Sequence, residues 1–442
     1  KTITTTSSAI IIGGGLAGLS AATHLQSSSI PFLLLESSDA LGGRVRTDLV
    51  DGFLLDRGFQ IFITSYPEAS LLLDYSSLNL HKFYSGARIF FNGGFHTVAD
   101  PIRHFRDSFA SLFNPIGTFF DKLLIGFLRV RVLRKSDEEI FVSDEVPVIE
   151  LLKNLGFSDG IIDRFFQPFF GGIFFDQDLE TSSRLFDFIF KCLALGDNTL
   201  PQNGIGEIPK QLASKLPPDC IRLNSRVLSV QVDEDKEGVI VRLENGEKLR
   251  SEIGVILAVE LPQTEKILAP NLLTEIQRVG YNNNKKPGRS TVCLYFTSDR
   301  DRIPSSDPVL YLNGSGRGIV NNMFFATNVV PSYGPADKSL ISVSLIGFFD
   351  DVADDELIER VVEELSEWFG ETVVRGWKHL RTYRIKFAQP NQSPPTNLVK
   401  SPRVGAGLGL YLCGDYQTSA TFDGALVSGR KAVEALLEDR GD

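Results

Sequence analysis

Apolar and polar positions fall into blocks that predict elements along the chain. Ala9-Ile10-Ile11-Ile12 is a short, mostly β-branched run, which predicts a buried strand. Small and apolar residues then recur at helical spacing through Leu19, Ala21, Ala22 and Leu25. Phe32-Leu33-Leu34-Leu35 follows and ends in Glu36, so the opening reads strand, helix, parallel strand. Ahead of it, Lys1 to Ser8 reads as a Thr/Ser tail without regular structure. Farther on, Asp137-Glu138-Glu139 starts a helix and Val148 to Leu155 is helical. Pro201 to Pro209 turns into a helix running through Leu216. Ile221 to Val232 and Val239 to Leu243 read as paired strands, and Asn245-Gly246 makes a hairpin turn. Gly254 to Val259 is a buried strand. Residues 266 to 390 alternate strands with the acidic helix Asp354 to Phe369. Leu410 to Asp415 is a strand ending in Gly-Asp, and a last helix starts at Asp423.

The turn after the first strand carries chemistry. It reads Gly13-x-Gly15-x-x-Gly18. Gly13 allows the sharp turn, Gly15 lets backbone N–H groups approach a pyrophosphate, and Gly18 lets the helix pack close to the strand. The helix N-terminus, at Leu16 and Ala17, then offers partial positive charge to phosphates. Glu36 follows near the offset at which an acid bonds a ribose 2′-hydroxyl. Together these predict a dinucleotide site. Leu41-Gly42-Gly43-Arg44 adds a glycine pair that can lie against a flat or phosphorylated group, with a cation beside it. That favours FAD over a nicotinamide.

At these residues the chain resembles the flavin-dependent amine oxidase superfamily, which includes carotenoid desaturases and protoporphyrinogen oxidase. The match continues through Asp51-Gly52-Phe53 and Asp56-Arg57-Gly58-Phe59-Gln60. The resemblance implies an α/β fold: a Rossmann-like FAD-binding domain, discontinuous in sequence (1–85, 196–262, 396–442), and an α+β substrate domain (86–195, 263–395). It implies that Gly13, Gly15, Leu16, Ala17, Gly18, Glu36, Gly42, Gly43, Arg44 and Gly58 hold FAD. It adds Val227 at the adenine end, and Gly414, Asp415, Gly424 and Ala425 at the flavin end. The helix N-terminus near Gly424 would point its dipole at the flavin pyrimidine ring and favour the reduced form. Phe387-Ala388-Gln389-Pro390 resembles a flavin-facing turn and has no nearby cysteine, so the FAD is expected to be non-covalent.

Phe165-Phe166-Gln167-Pro168-Phe169-Phe170-Gly171-Gly172-Ile173-Phe174-Phe175 is the most biased stretch. It reads equally as an aromatic core or as an apolar substrate tunnel. A similar pattern in flavin desaturases tips it to the tunnel, with Phe169, Phe170, Ile173 and Phe174 as substrate contacts. A second apolar stretch runs from Phe109 to Lys135, through Leu112, Phe113, Phe119, Phe120, Leu123 and Phe127. It is expected to form a buried helix pair joined at Asn114-Pro115, because only Asp121 and Lys122 interrupt its apolar face. The alternative is a helix docked on a membrane surface, with Arg129, Arg131, Arg134 and Lys135 at the headgroups.

Composition sets bounds. The chain has 442 residues, enough for two domains, and a net charge of −10 with no bulk basic patch, which argues against nucleic acid. Its four cysteines and five histidines show no metal spacing. Two later glycine runs, Gly314–Gly318 and Gly405–Gly409, lack the strand-to-helix context of a nucleotide turn, so no second dinucleotide site is expected. The first residue is lysine, which suggests a processed or truncated N-terminus and, with the carotenoid-type resemblance, a plastid location.

The expected activity is oxidation of an apolar small molecule, polyene or tetrapyrrole-like, by hydride transfer to flavin N5, or flavin-assisted isomerisation. The alternatives are an oxygen-using amine or protoporphyrinogen-type oxidase, or a non-catalytic FAD-binding protein. Two departures weigh against amine oxidation. Thr421 stands where amine oxidases carry a cage aromatic, and Thr291 where they carry a flavin-side lysine. The missing lysine points to a quinone-like electron acceptor rather than oxygen. No catalytic residue is identifiable.

Overall fold

The computed structural model describes residues 3–100, 103, 114–233, 238–276, 286–397, 400–405 and 407–441. A five-stranded parallel sheet runs in the order Ile221–Arg222, Phe32–Leu35, Ala9–Ile12, Val255–Leu257, Leu410–Leu412. Its central strands are apolar and buried, as a parallel sheet covered on both faces requires. The Leu16–Ser27 helix lies against the C-terminal Phe422–Arg440 helix. The two approach so closely that a Cβ on Gly429 would sit 2.3 Å from the Ala17 carbonyl oxygen. The Ser20 hydroxyl donates across the gap to the Leu426 carbonyl at 2.6 Å.

Two expectations are corrected here. The N-terminal Thr/Ser stretch is a strand from Ile3 to Thr6, parallel to Lys248–Ser251 at the edge of a four-stranded sheet; Lys1 and Thr2 lie outside the described residues. Backbone pairing overrides its polar composition. The run Ile221–Val232 is two strands, not one. Asn224, at φ 50°, turns the chain, so Ile221–Arg222 joins the parallel sheet and Val227–Val232 pairs with Val239–Leu243.

A seven-stranded mixed sheet forms the other half of the molecule. It contains Gly86–Phe91, Gly94–Ala99, Arg289–Asp299, Leu310–Asn313, Val320–Phe325, Lys338–Ile346 and Lys378–Gln389. One face packs on the Asp354–Phe369 helix through Leu357, Val361, Leu365 and Trp368. The other face turns toward the parallel sheet, and the site lies between them. Phe387-Ala388-Gln389, read as a turn, is the end of the last of these strands.

The two phenylalanine-rich segments have opposite fates. The Gln167–Phe174 helix continues a π-helical turn at Ile162–Phe166. Phe166, Phe170 and Phe174, four residues apart, form a buried ladder, with Phe170 4.6 Å from Phe186. The Phe119–Leu133 helix does the reverse. Its buried positions are Asp121, Leu128 and Val132, while Phe119 and Phe120 are 62% and 61% exposed, with Leu123 and Phe127 beside them. The expected burial of this apolar face is therefore overturned; Phe109, Leu112 and Phe113 lie outside the described residues. The reason is a polar anchor. Asp121 caps the helix start with Thr118 and accepts the Ser158 N–H (2.8 Å) and hydroxyl (2.7 Å). Arg129 reaches Asp100 at 3.2 Å and the Ala194 carbonyl at 2.8 Å, and Arg131 pairs with Asp187. No helix among the described residues is long and apolar enough to cross a membrane.

Candidate functional site

The glycine turn has the geometry its spacing predicts. Gly13 sits at φ 107°, with the Ala258 carbonyl oxygen only 2.6 Å from where a Cβ would be. A Cβ on Gly18 would lie 1.9 Å from the Gly13 carbonyl oxygen, so this glycine sets helix-to-strand distance and does not line the cavity. Gly15 differs from both: nothing lies within 4 Å of its would-be Cβ. The turn leaves open space at the residue whose backbone is expected to meet a phosphate, next to the start of the Leu16–Ser27 helix. Glu36 is held at the end of its strand by two backbone donors, the Gly14 N–H at 2.7 Å and the Ser38 N–H at 2.8 Å.

The glycine pair is tied to the same turn, the Gly42 N–H donating to the Gly14 carbonyl at 2.8 Å. Arg44 extends from it to Asp415 (3.0 Å) and the Ala388 carbonyl (2.9 Å), and lies over the Phe387 ring. It thereby links the two ends of the sequence and the last strand of the mixed sheet. Burial disfavours the guanidinium charge, but Asp415, with help from Glu260, more than offsets this and holds the pKa above its ordinary value. Burial pushes the Glu260 carboxyl up, and Arg44 offsets part of that. Asp415 uses one oxygen on Arg44; its other oxygen, Oδ1, is buried without a partner.

At the start of the last helix Thr421 accepts the Gly424 N–H at 2.8 Å. Gly424 is therefore a capping and packing residue, with the Ser419 carbonyl oxygen 2.0 Å from its would-be Cβ. It does not line the cavity, whereas Ala425 does. Thr421 and Thr291 both reach the cavity wall, so the two departures noted in the sequence stand at the site itself.

All of this surrounds one cavity of about 710 Å³. The structure brings Gly13, Gly15, Leu16, Ala17, Glu36, Gly42, Gly43, Arg44, Gly58, Val227, Gly414, Asp415 and Ala425 to its wall. The same cavity continues past Phe169, Ile173 and Phe174 to the mixed sheet. Phe170 is not part of that wall; it belongs to the buried ladder behind it. Sequence reasoning missed the sheet side: Leu310, Leu312, Asn322 and Ser344 line the cavity from strands that read locally as ordinary core. The only signal was polar residues inside otherwise apolar strand runs.

A model of flavin containing amine oxidoreductases matches residues 16–437. The chain belongs to that family. As a flavin-containing amine oxidoreductase it is an oxidoreductase of a flavoprotein family, with small molecules as substrates. It is 23% identical over 474 aligned residues to the 15-cis-phytoene desaturase of an Oncidium hybrid cultivar, covering 97% of this chain and 78% of the relative. The fold matches a putative protoporphyrinogen oxidase from Exiguobacterium sp. 255-15 (TM-score 0.72, 18% identity, 99% and 100% coverage). It also matches putrescine oxidase (TM-score 0.71, 16% identity, 98% and 100% coverage). These likenesses give the α/β fold with a Rossmann-type FAD domain and a substrate domain. The residues of this chain fit a flavin dinucleotide: open space faces Gly15, and the buried Oδ1 of Asp415 has no partner of its own.

Proposed function

We propose that this chain binds FAD non-covalently along the glycine turn and oxidises an apolar small molecule in the adjoining part of the same cavity. The observation that carries the reading is continuity: the wall that holds Gly15, Glu36 and Asp415 also holds Phe169, Ile173 and Phe174. Bound FAD supplies a hydride acceptor at N5. The residues of the chain bind and orient. Gly13, Gly15, Leu16 and Ala17 would receive the pyrophosphate, with Gly18 setting the helix position. Glu36 and Val227 would face the adenosine half. Gly42, Gly43, Arg44, Gly58, Gly414, Asp415 and Ala425 would embrace the flavin half, with Gly424 spacing the last helix. Phe169, Ile173 and Phe174 would exclude water from the substrate. The dinucleotide-binding segments would be 1–85, 196–262 and 396–442, with 86–195 and 263–395 as the substrate domain.

An apolar substrate is favoured over an amine because Thr421 and Thr291 supply neither an aromatic cage nor a cation. With threonine in place of lysine at position 291, and with Arg44 already paired to Asp415, no unpaired cation is supplied there to stabilise forming superoxide, so a quinone-like acceptor is favoured over oxygen. The chloroplastic or chromoplastic names of the desaturase relatives support a plastid location. The exposed stripe of Phe119, Phe120, Leu123 and Phe127 supports contact with a lipid surface, from which an apolar substrate could enter without crossing water.

The purified protein should carry flavin, and acid precipitation should release all of it; flavin left in the pellet would refute non-covalent binding. Glu36→Ala should weaken flavin retention by about 1.5–3 kcal/mol. Stopped-flow reoxidation should be slow in air and accelerated by a benzoquinone.

A further inference from the structure

The cavity is not apolar where it meets the mixed sheet. On the sheet face that turns inward, most side chains are apolar or aromatic: Tyr295, Phe324, Leu340 and Leu312 are buried together there. At the cavity three polar residues replace that pattern on three adjacent strands. Asn322 on Val320–Phe325 is the cross-strand neighbour of Ser344 on Lys338–Ile346. Thr291, two residues from the Cys293 that pairs with Ser344, shares their face. All three are at least nine-tenths buried and line the cavity.

Asn322 is the informative one. Its Nδ2 donates to Asn321 Oδ1 at 2.7 Å, which leaves the Oδ1 end as the unused one. That oxygen is buried and has no partner. The neighbouring Thr291 hydroxyl does not serve it, because it donates to the Leu345 carbonyl at 2.7 Å. Gly172, on the same cavity wall, packs directly against this amide pair; a Cβ there would lie 2.4 Å from Asn321 Oδ1 and 3.3 Å from Asn322 Nδ2. A buried acceptor left unpaired is unfavourable, and a site for a plain hydrocarbon would be better walled by Leu or Val.

We propose that the substrate is not a bare hydrocarbon: it is an apolar skeleton carrying one hydrogen-bond donor, a hydroxyl or ring N–H, that meets Asn322 Oδ1. Asn322 is thus a specificity-determining residue, an inference that rests on the reading of this cavity as the substrate site. A donor there replaces the water that a free hydroxyl would lose on entry. A molecule without one leaves the oxygen unpaired and is rejected.

Calorimetric titration of the purified flavoprotein with three probes tests this: 2-naphthol, 2-methoxynaphthalene and naphthalene. The first should bind at least about tenfold tighter than the other two, the effect expected of one buried hydrogen bond. In Asn322→Leu the three affinities should converge to within about twofold, with flavin content unchanged. Ser344→Ala, on the neighbouring strand, should keep the 2-naphthol preference. Equal affinities in the wild type would overturn the inference, as would no binding of any probe. So would a 2-methoxynaphthalene affinity equal to that of 2-naphthol, or a preference that survives Asn322→Leu. Calorimetry does not depend on flavin as reporter. A protein that purifies without flavin but prefers 2-naphthol would therefore fail the cofactor reading and keep this one.

Discussion

The Gln167–Phe174 and Phe119–Leu133 helices are both phenylalanine-rich, and they differ in what lies behind the aromatic face. In the first, Phe166 and Phe170 meet Phe186, and Phe170 also meets Phe190, on the Ser183–Leu195 helix, while Phe169, Ile173 and Phe174 reach the cavity. In the second, the side turned inward carries Leu128 and Val132 together with Asp121, and Arg129 and Arg131 flank it; each of these three charged residues has a fixed acidic or backbone partner. The helix has apolar residues on more than one side, and the side that also carries the anchoring charge and hydrogen bonds is the one turned inward. The direction of an amphipathic helix thus depends on partners elsewhere in the chain, here Asp100, Ser158 and Asp187, and not on its own stripe.

Truncating one ring on each helix should break the symmetry most strongly. Phe170→Ala should cost about 3–5 kcal/mol of folding stability, as other buried phenylalanines do, whereas Phe120→Ala should stay within about 0.5 kcal/mol. Urea denaturation of both decides it; equal losses would mean that Phe120 is covered. The anchor comes next. Burial pushes the Asp121 carboxyl up, but the bonds from Ser158 and Thr118 outweigh it and hold the pKa below the ordinary 3.8. A depressed carboxylate stabilises the fold above its unfolded pKa and loses that contribution as pH falls through the folded value. Asp121→Asn should therefore cost about 1–3 kcal/mol near neutral pH and progressively less as pH falls below about 4. Stability curves at several pH values check this, and a constant cost would show that the charge plays no part. The smallest effect on folding is expected from Phe119→Glu with Phe120→Glu, about 0.5 kcal/mol or less. The same pair should abolish flotation with liposomes and leave flavin content unchanged. A wild type that never floats would remove the lipid surface as the partner of this face.

The glycine-turn side of the cavity was legible because its geometry is local. Gly13, Gly15, Gly18 and Glu36 lie within one strand–helix–strand unit, and the steric need at Gly13 and Gly18 and the open space at Gly15 read directly from spacing. Gly424 was misplaced because the backbone of Ser419 packs against it and keeps it off the cavity wall, a close approach that the sequence does not announce. Phe170 was misplaced because a run of phenylalanines does not say which face of a helix meets a neighbour. The sheet wall was hidden for a different reason. Thr291, Asn322 and Ser344 are far apart in sequence and come together only through strand register. The N-terminal strand was hidden because its partner, Lys248–Ser251, is equally distant.

The order of strands in the parallel sheet bears on synthesis. Val255–Leu257 pairs on one side with Ala9–Ile12, made long before it, and on the other with Leu410–Leu412. At roughly 5–20 residues per second, a ribosome needs on the order of ten seconds or more to deliver that last strand. During this interval the nascent sheet carries an open edge of Val255, Ile256 and Leu257, all apolar. Such an edge can pair with foreign strands. Asp415 and the helix that packs on Ala17 arrive only with the same late segment. The edge stays open to such mispairing until residues 410–412 emerge to cover it.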